Sequence, residues 1–164
     1  MRTLKLVCGL AGIVLALMVG TATAHGARSS VIVFDVRNLD NAECPFFGFS
    51  FDMVAPGGTS LGSGVSCVQS LEPPAGCDFG AVGCRDAVHA IFTLAFARGS
   101  LTAPITLNEK WLTESTVLQV DRGTVVAGTG EFSGAHGSIF CAGTVEFTAT
   151  GAPVPKIVCI VHVS

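Results

Sequence analysis

Charge is scarce along this chain: only 13% of its 164 residues are Asp, Glu, Lys or Arg. The nine Lys and Arg residues form no basic run, and the net charge is −3. Both facts argue against nucleic acid or an anionic membrane surface as a partner. No Gly-x-Ser-x-Gly elbow or Ser/His/Asp set stands out, and Gly62-Ser63-Gly64 is too short to count as one. A phosphate-binding glycine loop is also missing. No Cys-x-x-Cys pair exists, which speaks against a zinc–thiolate centre. Residues 25–164 carry no convincing helical period. Tyrosine is absent altogether.

What is present begins with an address. Arg2 and Lys5 precede an apolar run, Leu6 to Val19, broken only by glycine. Gly20-Thr21-Ala22-Thr23-Ala24 follows and ends in a small-residue cleavage pattern. The run is shorter than the roughly 20 apolar residues that span a bilayer. Residues 1–24 therefore read as a signal peptide, and 25–164 as one domain that works outside the cytoplasm, secreted or periplasmic, with no membrane attachment after cleavage. Losing two basic residues and no acidic ones takes the net charge from −3 to −5.

Cleavage also removes Cys8. That leaves an even set, Cys44, Cys67, Cys77, Cys84, Cys141 and Cys159, which in an exported chain favours disulfides. The sequence does not choose their pairing. Cys67, Cys77 and Cys84 lie close together, so at least one bridge is expected to be local.

Gly and Pro punctuate the domain every ten residues or so, between segments rich in Val, Ile, Thr and Phe. That spacing signals an all-β sandwich or barrel. Strands are predicted at 31–37, 47–54, 63–70, 87–97, 100–107, 111–119, 123–127, 137–148 and 156–163. Turns are predicted at Pro56-Gly57-Gly58, Arg98-Gly99, Asp121-Arg122-Gly123 and Gly151-Ala152-Pro153. The segment 71–84 reads as a loop pinned by its cysteines. In the last strand Ile157, Cys159, Val161 and Val163 alternate with Val158, Ile160 and His162. Such a strand is apolar on both faces and wants cover on both, which points to a homo-oligomer.

The stretch from Val125 to Gly137, with Gly128-Thr129-Gly130, Phe132, Gly134, Ala135 and Gly137, resembles the glycine-rich turn of the allene oxide cyclase/dirigent barrel superfamily. The likeness extends to the hairpin at 92–103, to Phe51-Asp52-Met53-Val54 with Gly57-Gly58 and Leu61-Gly62, to Cys67, and to Val33–Asn38. It implies an eight-stranded antiparallel, calycin-like β-barrel whose cavity opens at one end, commonly assembled as a trimer. It assigns structural turn roles to Gly128, Gly130, Gly134 and Gly137.

By the same resemblance Asp35 occupies the position of the catalytic acid, with Arg37 where the family has asparagine and Asn38 adjacent. The residues alone offer another reading. Period-2 alternation puts Asp35 and Arg37 on one face, as an exposed ion pair. The missing tyrosines speak against cyclase activity. Phe34, Phe92, Phe96, Leu118 and Phe140 are candidates to line a ligand cavity, or else simply to fill the core.

Of the four histidines, His25 would become the mature N-terminus, where its amine and ring could chelate copper. His89, His136 and His162 read as strand or turn residues. Three functional classes stay open: a non-catalytic barrel that binds a small hydrophobic ligand or other proteins, an isomerase or dirigent-like enzyme, and a copper protein using His25. The first needs no cofactor, and none is expected.

Overall fold

In the computed structural model, which describes residues 29–149 and 153–164, the domain is all-β. The leader and His25 lie outside the described residues. The strands are β1 (Ser30–Asn41), β2 (Gly48–Val54), β3 (Ser60–Glu72), β4 (Arg85–Phe96), β5 (Gly99–Thr113), β6 (Thr116–Val125), the two-residue β7 (Ala127–Gly128), β8 (Gly137–Glu146) and β9 (Val154–Val163).

Each long strand pairs antiparallel with the next, and β9 returns to pair with β1 from Ser30↔Val163 to Asp35↔Val158. The result is a closed, eight-stranded, up-and-down barrel. The short β7 extends the line of β6 along β5 through Leu101↔Gly128 and Thr102↔Ala127. Closure leaves no long unpaired edge among the described residues, which removes the hazard of edge-to-edge aggregation.

Alternation sorts the side chains. On β1, Phe34 and Val36 are buried and their neighbours face outward. On β9, Ile157, Cys159, Val161 and Val163 are buried. A closed barrel turns every second residue inward, so these alternating rows make a single core.

The two ends of the barrel differ. At the end holding Ser30, Val163 and the β4–β5 turn, the interior is filled by Phe34, Met53, Leu94, Leu101, Val125, Ile139 and Val161, each at most 2% exposed. The glycine-rich connection between β6 and β8 folds over this end. Gly130 (φ +59°) and Gly134 (φ +78°) take left-handed conformations there that a Cβ disfavours. Phe132 tucks beneath it against Phe96, ring centroids 5.0 Å apart.

The six cysteines form three disulfides, Cys44–Cys67, Cys77–Cys84 and Cys141–Cys159. The local bridge expected near Cys77 is the second of these, and it pins the β3–β4 loop. The first fastens the β1–β2 loop to β3. The third links directly opposed residues on β8 and β9, inside the barrel. Three bridges in one small domain fit an oxidising compartment.

One stretch departs from expectation. The β5–β6 turn falls at Glu114-Ser115, inside the strand predicted at 111–119, and Ser115 N–H donates to Thr113 Oγ1 (3.2 Å) there. The triplet Asp121-Arg122-Gly123 is not a turn but the middle of β6. Its glycine serves close strand approach. An added Cβ would lie 2.5 Å from the Pro104 carbonyl oxygen and 2.8 Å from Ile139 Cγ2. Gly123→Ala is thus expected to lose about 1–3 kcal/mol through overpacking, measured by urea denaturation, whereas alanine at the open turn position Gly57 costs far less.

Candidate functional site

The half of the barrel away from the filled end is hollow. Residues from the last turns of β1, β3, β5 and β8 and the first turns of β2, β4, β6 and β9 enclose a cavity of about 290 Å³. Its walls are Val36, Phe51, Val68, Val88, Phe92, Leu107, Val145, Ile157 and the Cys141–Cys159 bridge. Phe51 and Phe92 pack side by side, centroids 5.8 Å apart. The mouth is aromatic: Phe47, Phe79 and Phe147 are partly exposed there, and Trp111 stacks on Phe147 at 5.5 Å. Phe79 sits in the β3–β4 loop, which the Cys77–Cys84 bridge and a hydrogen bond from Gly80 N–H to Asp86 Oδ2 (3.0 Å) hold in place.

Polar groups are few, and the charged ones are acids. Glu109, Gln119 and Asp121 line the cavity on adjacent strands, and Ser66 faces them from β3. Glu109 stands opposite Gln119 in the β5–β6 register, and the Gln119 amide donates to Glu109 Oε1 at 2.7 Å. Opposite Glu109 on its other side is Asp86 of β4, only 2% exposed. Asp121 lies two residues deeper along β6. It too is 2% exposed, and its Oδ1 has no hydrogen-bond partner among the described residues.

Burial dominates the chemistry of these acids. It pushes the Asp121 carboxyl up to about 8, with the nearby Glu109 carboxylate adding to the rise. Glu109 is also raised, first by burial and then by the charge of Asp86, against the lowering effect of the Gln119 hydrogen bond. At neutral pH Asp121 is therefore mostly a neutral acid in an apolar chamber. No Lys, Arg or His lines the cavity among the described residues.

The structure scatters the residues singled out from sequence. Asp35 and Arg37 point away from the barrel interior and pair with each other on the outer face at 3.1 Å, so the ion-pair reading holds and the cavity loses its expected acid. Asn38, at φ +50°, sits in a register irregularity of β1 and donates to Asp52 at 2.6 Å, also outside. Of the five apolar candidates, Phe92 alone lines the cavity. Phe34 fills the opposite half and Phe96 packs on Phe132. Leu118 and Phe140 lie on the outer face, 37% and 39% exposed. The four turn residues, Gly128, Gly130, Gly134 and Gly137, all fall in the β6–β8 connection or at the start of β8.

The three histidines among the described residues do not converge. His89 Nε2 lies 3.3 Å from Glu72, while His136 and His162 are exposed. Among the described residues no group of three His, Cys, Asp or Glu side chains could hold a metal ion. Compared with models of known protein families, with curated proteins and with solved structures, the chain matches none at a significant level.

Sequence reasoning missed Asp121 because Asp-x-Gly reads as turn chemistry. A stronger signal was at hand. Val117, Gln119, Asp121, Gly123 and Val125 alternate at period 2 between outward residues, which places the acid on the face of two valines.

The raised carboxyl makes stability depend on pH in a definite direction. The unfolded chain releases the Asp121 proton near 3.8, whereas the folded protein keeps it up to about 8. Its contribution is thus full below pH 3.8 and is lost as pH rises through 8. Asp121→Asn abolishes that loss. The variant should gain on the native protein between pH 4 and pH 8, by a few kcal/mol (about 1.4 kcal/mol per pKa unit), and the gap should level off above pH 8. Paired denaturant melts across this range measure it.

Proposed function

We propose that this protein is an exported, non-catalytic barrel that binds a small hydrophobic ligand in the open half of its interior. The carrying observation is the contrast between the two halves. One is filled by large, fully buried apolar side chains, while the other encloses about 290 Å³ behind apolar walls and an aromatic mouth. That volume is near the lower end of the ~300–1,000 Å³ of small-molecule sites. Measured against the ~30 Å³ share of a water molecule, it suits a ligand on the order of ten heavy atoms. Export agrees with the apolar leader and with the three disulfides.

The enzyme reading loses support. The acid that the cyclase/dirigent likeness supplied, Asp35, faces outward, and the chain has no tyrosine. The likeness itself keeps the agreement of barrel type and of glycines gathered in one turn.

Trp111 is the chain's single tryptophan and stands in the cavity wall, so its emission reports occupancy. Titration with 1-decanol should shift that emission saturably, at one ligand per chain. Val145→Phe, which puts a ring into the cavity, should weaken binding tenfold or more while leaving the far-ultraviolet circular dichroism unchanged. An unsaturable, linear response would contradict the proposal.

A second reading concerns assembly. The outer face of β1, β9 and β8 carries Val31, Val33, Val158, Ile160 and Phe140, with Ile160 in register with both Val33 and Phe140. Val31 is 57% exposed and Val158 46%. Burial of this patch between copies supports a homo-oligomer, a trimer by the resemblance. Light scattering after gel filtration should return a multiple of the chain mass, and Val158→Glu should return the monomer.

A further inference from the structure

We propose that the cavity selects an amphiphile with a primary ammonium head, seated against Asp121 and Glu109 with its tail toward the aromatic mouth. This rests on the ligand-binding reading above and names the class of ligand.

The argument starts from an imbalance. Three carboxyls, Asp86, Glu109 and Asp121, are directed into the barrel from consecutive strands. Burial, together with the opposition of their ionised forms, keeps Asp121 mostly protonated at neutral pH, and natural interiors offset such groups with a cation or a full set of donors. Neither is supplied here. Lys110 and Arg122 follow Glu109 and Asp121 directly in sequence, and strand alternation turns them to the outer face, where Arg122 lies over the Phe140 ring. Across from Asp121, β8 and β9 contribute the uncharged Cys141–Cys159 bridge, and β1 contributes Val36.

Donors are almost as scarce. Gly80 N–H satisfies one oxygen of Asp86, and Gln119 satisfies one of Glu109. Asp121 Oδ1, buried and in the cavity wall, has no partner among the described residues. A buried acceptor left unpaired in an apolar chamber costs about 1–3 kcal/mol. A ligand that brings N–H donors and positive charge recovers that cost and favours the ionised form of Asp121, which burial otherwise keeps protonated at neutral pH. A fatty acid would add a fourth carboxylate at the acid end; the wall's unpartnered buried donor among the described residues, Trp111 Nε1, stands toward the mouth, at the tail end of the ligand.

Orientation follows from depth. Asp121 lies six residues along β6 from Ser115 in the mouth hairpin, on the order of 20 Å of extended strand. The head therefore enters first. The alkyl chain then runs past Ile157 and Val145 to the ring pair of Trp111 and Phe147.

The test is a series of one chain length and three heads: decylamine, 1-decanol and decanoate. Each is titrated below its micelle concentration at pH 7, with Trp111 emission as readout. Decylamine should bind at least tenfold tighter than decanol, and decanoate weakest. Asp121→Asn and Glu109→Gln, each close to isosteric, should bring the decylamine-to-decanol affinity ratio down from tenfold or more to about one. Equal affinity for all three heads in the native protein overturns the ammonium assignment and leaves the cavity as a plain apolar site. The ammonium assignment also falls if Asp121→Asn weakens every ligand alike, since a merely structural carboxyl would do that. If none of the three binds, the ligand-binding reading itself fails. The native-protein series needs no variant to fold.

Discussion

Closure of the sheet is the constraint on which the rest of this molecule depends. Once β9 pairs with β1, the strand number fixes the width of the interior, and the inward residues must either fill that width or leave it empty. Phe34, Met53, Leu94, Leu101 and Ile139 fill it at one end. At the other end the inward set includes Ser66, Val68, Val88 and Val145, which are smaller, together with the acids and Gln119. Space persists there because the backbone cannot collapse around small side chains without breaking the ladder. Disulfides reinforce this rigidity where it matters, with one bridge inside the hollow half and two fastening the loops of its mouth.

Much of the fold was legible in the sequence because period-2 alternation and glycine spacing are local signals. The strands at β1, β4, β8 and β9 follow from them with ends a few residues off. What alternation could not settle was the run from Ser100 to Val125. There the 15-residue β5 and the 10-residue β6 meet at a Glu-Ser turn without glycine or proline, while the glycine that looks like a turn, Gly123, serves strand approach. Turn chemistry outweighed pattern in that reading, and the pattern was right.

The site was less legible than the fold for the same reason. An acid expected at Asp35 by resemblance faces solvent, whereas an acid hidden in apparent turn chemistry, Asp121, faces the chamber. Phenylalanine is a poor guide to a cavity here, because barrel parity alone decides inside from outside. Phe34 and Phe92 share the inward parity yet sit at opposite ends, and Phe140 lies on the outer surface. Which end stays hollow depends on the summed volume of residues from eight strands, and no single segment encodes that sum. The chemistry that emerges is an apolar chamber whose few polar groups include two acids, one of them held neutral by burial.

Methyl-resolved NMR of the isotopically labelled protein with 1-decanol added tests the central claim most directly. The account predicts saturable shifts confined to Val68, Val88, Leu107, Val145 and Ile157 around the hollow half, with Leu94, Leu101, Val125 and Val161 in the filled half nearly still. Shifts at Val31 and Val158 on the outer face, or no saturable shifts in the hollow half, would contradict it.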